Sequence, residues 1–371
     1  MPRMVKTRYT NRNFGWILLL IATLAFSGCT QLGPGLVKAG RNDYNKVLAQ
    51  TDDEETLLNL VRMRYADNPV ILQVSSVSTS FTWNQGASAE GVRFPSTGAA
   101  DNIGVRGSLD YTERPTITYT PLGGADFVRN VLTPMELDSL LLLSQSGWSM
   151  ERLLLIMANR MNGQDNAREA SGPTPFTAPD YAAFREAAKL MRDLQRDGHI
   201  TFGYRMVEEQ RVPAMRIERE ALGSDKAQSL SRLLGLDPQR RIFTMESRAR
   251  RPSADTIGIE LRSLVGVMFF LSHATQIPER DLAAGRVTVT RDQNGEPFDW
   301  NQVIGDLLKI RSQDEPPDNA AVAVQYRDSW FYIDDSDLNS KYTFMLIGVL
   351  TSLQAGSIER AAPILTLPVG G

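Results

Sequence analysis

Ser76-Val77-Ser78-Thr79-Ser80-Phe81-Thr82-Trp83 is the stretch that decides the fold class. Val77, Thr79, Phe81 and Trp83 alternate with Ser76, Ser78, Ser80 and Thr82. A period of two puts successive side chains on opposite faces, so this segment reads as a strand with one polar face. A stretch rich in Gly, Ser, Ala and Asn follows from Asn84 to about Asn102 and reads as a loop. The chain returns through Val105 to Tyr119, where Leu109 and Tyr111, then Ile117 and Tyr119, predict a second strand. Pro115 cannot donate a ladder hydrogen bond, so a break is expected there. Together the segments predict a long amphipathic hairpin near residues 70–120.

Helical spacing flanks it. Upstream, Leu57, Leu58, Leu60, Val61 and Tyr65 fall on one face of a helix expected over 43–65, which Pro69 ends. The acidic run Asp52-Asp53-Glu54-Glu55 fits either a cation site or the favourable end of a helix macrodipole, and the macrodipole is the simpler account. Downstream, helices are expected from Pro134 to about Ser144, from a Ser149 cap to Met161, and from a Thr177/Asp180 capping box to about Arg196. A hairpin is expected over 199–206 and 213–217, a helix over 225–234 and a strand over 241–245. Ser253 or Asp255 is expected to cap an apolar helix running to about Thr275. A short strand over 287–290, a helix over 301–310, a hairpin about Arg327-Asp328 and a last helix over 341–354 complete the pattern. Interleaved helices and antiparallel hairpins without regular βαβ alternation define an α+β fold.

The N-terminus carries a different message. Arg3, Lys6, Arg8 and Arg12 precede an apolar stretch from Phe14 to Phe26, and Ser27-Gly28 leads into Cys29, the only cysteine. A basic n-region, a short apolar core and small residues before the cut describe a secretory signal. The core is too short for a spanning helix, which needs about 20 apolar residues. The lone cysteine after Ser-Gly resembles a bacterial lipoprotein signal. That resemblance implies cleavage before Cys29, its acylation with diacylglycerol and palmitate, and a membrane anchor. Thr30, in place of Asp, favours the outer membrane, with the protein on its periplasmic face. Two or more acyl chains hold firmly where one is marginal.

Removing residues 1–28 leaves 36 basic against 43 acidic residues, a balance that argues against a nucleic-acid partner. His199 and His273 are the only histidines, so neither a Cys/His metal site nor a cofactor is expected. The domain reading is a signal peptide over 1–28, a tether over 29–40, an N-terminal α+β region over 41–162, a linker over 163–177 and a C-terminal α+β region over 178–371. Nucleotide-binding and serine-hydrolase signatures are absent, and no catalytic residue is picked out. His273 reads as a packed or capping residue. Asp334, Asp335, Asp337 and Asn339 start like a calcium loop, but Ser340 and Leu346 occupy the positions that need Gly and Glu. That favours a turn with Asp337 capping the last helix. Arg240, Arg241, Arg248, Arg250 and Arg251 form the clearest basic cluster. They are candidate anion-binding residues, for lipid or lipopolysaccharide phosphates or an acidic protein face, weighed against local ion pairing.

Several stretches together resemble an uncharacterised family of proteobacterial outer-membrane lipoproteins. They are residues 55–65 (ETLLNLVRMRY), 115–122 (PTITYTPL), 145–148 (QSGW), 330–335 (WFYIDD) and 365–370 (LTLPVG). The resemblance brings no activity and no site residue. The expectation is a non-enzymatic, acyl-anchored scaffold or assembly partner with an envelope protein as its partner. One alternative is a homo-oligomeric pore or export component that inserts the 70–120 hairpin, with Trp83 and Tyr111 near the membrane interface. Another is an envelope hydrolase using paired carboxylates.

Overall fold

The computed structural model describes residues 32–70, 72–91, 103–121, 129, 131–247 and 253–356, with the backbone alone over 32–45, 72–91, 103–121 and 355–356. Helices and sheets interleave as an α+β fold. The chain divides into two compact units, residues 1–56 and 57–371. The division expected at 163–177 is replaced by folded structure inside the second unit. Asn166, Ala167 and Ala170 are buried there, and residues Arg168–Ser171 form a 3-10 turn. The Gly, Asn and Ser content that suggests a linker serves a tight internal connection.

Helix α1 spans Leu32–Arg64, so part of the expected tether is helical. In the second unit its last two turns bury Leu57, Leu60 and Val61. It stops at Ala66, whose φ is +59°. The Ala66 amide donates to Met63 and the Asp67 amide to Arg62, the pairing that satisfies the last carbonyls of a helix closed by a left-handed residue. The stop therefore precedes Pro69. Asn59 faces the outgoing chain. Its amide oxygen accepts from the Val70 amide at 2.8 Å, and its Nδ2 donates to the Val70 carbonyl at 2.7 Å.

The hairpin is longer than its sequence signal. Strands β1 (Leu72–Gly91) and β2 (Ile103–Pro121) pair antiparallel from Leu72↔Pro121 to Gly91↔Ile103. Pro115 pairs opposite Thr79 with no break, because in a two-stranded sheet each strand has a free edge and a proline on that edge forfeits no ladder bond. One shift in register lies between Val74 and Ser76.

Helices α2 (Leu137–Gln145), α3 (Met150–Met157) and α4 (Ala182–Arg196) follow. Strands β3 (Ala158–Met161) and β4 (Gln164–Asp165) interrupt them. The helix expected to reach Met161 thus stops at Met157. Strands β5 (Ile200–Val207) and β6 (Gln210–Ile217) form the predicted hairpin. Helix α5 occupies Asp225–Leu234, as read from the sequence. Ser224 caps it through the Ala227 amide, and Gly235 closes it at φ +65°, a conformation that suits a residue without Cβ. Strands β7 (Ile242–Ser247) and β8 (Thr256–Leu261) run parallel. They complete a six-stranded sheet ordered β4-β3-β8-β7-β6-β5. The helix expected over 253–275 is thus a strand followed by helix α6 (Leu264–Ser272), capped by Ser263. Strand β8 is central, and a strand buried on both faces shows no alternation to distinguish it from a buried helix.

Short helices α7 (Glu279–Ala283) and α8 (Asn301–Ile304) come next, so the helix expected over 301–310 is cut short, and 287–290 forms no strand. Strands β9 (Arg311–Gln313), β10 (Ala320–Tyr326) and β11 (Ser329–Asp334) make a second sheet, with β11 in the middle. Ser329, Phe331 and Ile333 are buried in alternation, and Arg327 turns the hairpin at φ +53°. Helix α9 spans Leu338–Gly356. A continuous apolar core, with Phe184, Phe243, Phe270 and Phe331 fully enclosed, joins both sheets and their helices. Among the described residues no helix is long and apolar enough to cross a membrane.

Candidate functional site

The least ordinary residue in the interior is Arg262. It sits between the end of β8 and the Ser263 cap of α6, with no exposed surface. Helix α3 points its C-terminal end at it. The last carbonyls of a helix have no partner within the helix, and here Arg262 supplies one. Its Nη1 donates toward the carbonyls of Leu155 (3.2 Å), Ile156 (3.0 Å) and Ala158 (2.5 Å). Its backbone amide takes the Met157 carbonyl at 2.6 Å. Nη2 donates to the Asn166 carbonyl at 2.5 Å, and Nε to the Ser171 hydroxyl at 2.9 Å. The guanidinium carbon lies 4.0 Å from the Phe270 ring centre. Its partners are carbonyl and hydroxyl dipoles and an aromatic face, and burial pushes its pKa down to about 9. The negative end of the α3 dipole favours a cation at this place.

A cleft of about 240 Å³ opens beside this cage. Ser171 belongs to both: its hydroxyl accepts from Arg262 and donates to Asn159 Oδ1 at 2.5 Å. Across the cleft, Arg168 and Glu260 approach to 4.0 Å, both partly exposed. Ser263 and Gly266 form the remaining polar wall. A Cβ on Gly266 would lie 3.3 Å from the Ser263 hydroxyl and 3.5 Å from the Ser171 carbonyl, so close packing holds the α6 start against the 3-10 turn. The lining offers one carboxylate, Glu260, and no histidine. Two-carboxylate hydrolysis needs a second acid facing the first, and this cleft does not supply it.

A second buried polar group lies around His273. Its Nδ1 faces the carbonyls of Phe269 (2.8 Å) and Phe270 (3.2 Å). Both are acceptors, so Nδ1 carries the proton. The ring stacks at 4.1 Å on Trp300. Burial foremost, then the nearby Arg64 charge, push its pKa down to about 3. Arg64, itself held down to about 10 by burial, donates to the Thr288 carbonyl at 3.1 Å. Next to Arg64 in the chain, the Tyr65 hydroxyl donates to Asp281, which also accepts from Arg286 at 2.6 Å. His273 is the C-terminal cap of α6, the packed and capping role read from its sequence context.

Of the other sequence candidates, Arg240, Arg241 and the acidic group from Asp334 to Asn339 do not line the cleft. Arg240 pairs with Asp255 at 3.5 Å and Arg241 with Glu218 at 3.3 Å. Arg248, Arg250 and Arg251 lie outside the described residues, as does Cys29. Asp334 accepts the Ser336 amide and hydroxyl, and Asp337 caps α9 through the Ser340 amide and hydroxyl. Asn339 Oδ1 accepts from Arg152 at 2.9 Å, so these oxygens close a turn. Among the described residues no His, Cys, Asp and Glu cluster is arranged to hold a metal ion. The acidic run Asp52–Glu55 lies some twenty residues into α1, so the macrodipole account fails. Gln50 instead donates to Glu54 at 2.9 Å. Sequence reasoning missed Arg262. The available signal was a lone cation inside the apolar run 256–271, at the point where strand gives way to helix.

Compared with known proteins, the chain matches no family model, no curated protein and no solved structure.

Proposed function

We propose that this protein is an acyl-anchored lipoprotein of the outer membrane that faces the periplasm and acts as a non-enzymatic scaffold or assembly partner. One observation carries the reading: Leu24-Ala25-Phe26-Ser27-Gly28-Cys29 follows a basic segment and an apolar core, and Cys29 is the only thiol. One feature supports a structural use of the cleft: the Ser171 hydroxyl in its lining accepts from Arg262 and donates to Asn159.

The test is the intact mass and membrane partition of the wild type beside Cys29→Ser. The expected result is a wild-type chain that begins at an acylated Cys29 and sediments with membranes, and a variant that lacks both properties. An unmodified N-terminus on a mature, membrane-bound wild type would overturn the anchor.

A further inference from the structure

We infer that the outer half of the β1–β2 hairpin, residues 83–91 and 103–111, enters a lipid bilayer and closes into a barrel with hairpins from other copies of this chain. The inference does not rest on acylation of Cys29.

The register supports it. Directly paired residues of an antiparallel ladder share a face, so the pairing sorts the hairpin into two faces. One face carries Ser76, Ser78, Ser80, Thr82, Asn84, Gly86, Ser88 and Glu90 on β1. Its β2 members, from Gly104 to Thr120, include Arg106, Asp110 and Arg114, and none is apolar beyond glycine. The other face carries Val77, Thr79, Phe81, Trp83, Gln85, Ala87, Ala89 and Gly91 on β1, against Ile117, Pro115, Glu113, Tyr111, Leu109, Gly107, Val105 and Ile103 on β2. The register shift between Val74 and Ser76 keeps this division intact. Without the shift, Leu72 and Val74 would fall in phase with the serines. With it they pair with Pro121 and Tyr119, in phase with Ile117. A slip of one residue exchanges faces, and a bulge is the device that corrects the phase.

Charge locates the inserted part. Of the five charged residues in the two strands, Glu90, Arg106, Asp110 and Arg114 share the polar face. Glu113 alone lies on the other, opposite Phe81. That position is one same-face step toward the hairpin base from the pair Trp83↔Tyr111. From Trp83↔Tyr111 outward to Gly91↔Ile103 the apolar face has no charge, and each strand contributes nine residues. A membrane-crossing strand needs about 9–11 residues, and aromatic residues mark the interface of membrane barrels. The segment has the required length, begins at an aromatic pair and leaves Glu113 on the watery side.

The edges supply the partner. Among the described residues each strand of the two-stranded sheet has one unpaired edge. Open edges are not tolerated in lipid, so the sheet must close. The β1 edge of one copy can pair antiparallel with the β2 edge of the next. Membrane barrels begin at about eight strands, which corresponds to at least about four copies.

The test places single cysteines at Ala87, Ala89 and Val105, and at Asn84, Ser88 and Ser108. Each is labelled with an environment-sensitive dye in the full chain, reconstituted in phosphatidylethanolamine–phosphatidylglycerol vesicles containing nitroxide lipid. The unsubstituted chain measures any labelling at Cys29. The expected result is several-fold stronger quenching at the first three positions than at the second three. Equal quenching on both faces, or none on either, would overturn the inference. So would shielding of the first three positions without vesicles that persists unchanged with them, because a protein would then cover that face. The substitutions are small, and circular dichroism matching the unsubstituted chain confirms folding. If folding is lost at one position, the second position on the same face keeps the test decisive.

Discussion

The Arg262 cage and the β1–β2 hairpin solve the same problem in opposite ways. Both concern backbone polar groups that the local element cannot satisfy. At the end of α3 the orphan carbonyls are taken by the guanidinium of residue 262 together with the side-chain amide of Asn166, and the site closes on itself. In the hairpin the inner ladder is complete, but each strand keeps a free edge. The first arrangement makes a rigid interior that needs nothing from outside. The second leaves two edges able to take further strands. A chain that holds both has a finished body and an unfinished arm.

The largest expected effect comes from opening the closed side. Arg262→Met should cost about 3–4 kcal/mol in urea unfolding, because the buried Ile156 and Asn166 carbonyls lose this donor together, while Asn166 Nδ2 still reaches Leu155 and Ala158. Arg262→Lys should recover little, since an ammonium lacks the planar fork that spans these acceptors. Stability within about 1 kcal/mol of wild type for either variant would show that the cage is dispensable.

Acid comes next. His273 stays neutral in the fold down to about 3, while in the unfolded chain it protonates near the ordinary 6.5. Between those values the unfolded state binds the extra proton, so stability falls as pH falls, by about 1.4 kcal/mol per pH unit. His273→Phe should flatten unfolding free energy measured across that window. Asp281 acts in a lower one. Burial raises its pKa, but hydrogen bonds from Tyr65 and Arg286, with the charge of Arg286, outweigh burial and leave it below 3.8. Its contribution is present above 3.8 and is lost as pH falls through the lowered value. Tyr65→Phe should cost about 2 kcal/mol by removing one donor from this buried carboxylate.

Two smaller changes probe the arm. Asn59→Ala removes both bonds to Val70 and should cost about 1 kcal/mol, read by urea unfolding. Deleting Ser75 removes the extra residue. Val74 should then keep Tyr119 as its partner and not slip to Thr120, read by oxidative cross-linking of thiols placed at those positions, while urea stability changes by less than about 0.5 kcal/mol.

Legibility followed locality. Helix α5 was read to the residue because both its ends are written nearby, in Ser224 and Gly235. The hairpin about Arg327 was equally plain, since its alternation and turn sit within a dozen residues. The β1–β2 hairpin was legible in outline, but its length and bulge follow from pairing across forty residues. Residues 256–261 read as helix and form a strand, because burial removes the polar beat that separates the two, while the helix expected to follow is present as α6. The cleft and its cage could not be read at all, since Arg262 meets carbonyls that lie 96 to 107 positions away.

That separation has a consequence in time. A chain delivered N-terminus first presents the end of α3, with Asn166 close behind it, about a hundred residues before Arg262 arrives. At about 5–20 residues per second the wait is roughly 5–20 s, far longer than a helix takes to form or melt. During that interval the Ile156 and Asn166 carbonyls wait for the Arg262 guanidinium. The body therefore locks late, as a latch closes, when residue 262 comes into reach.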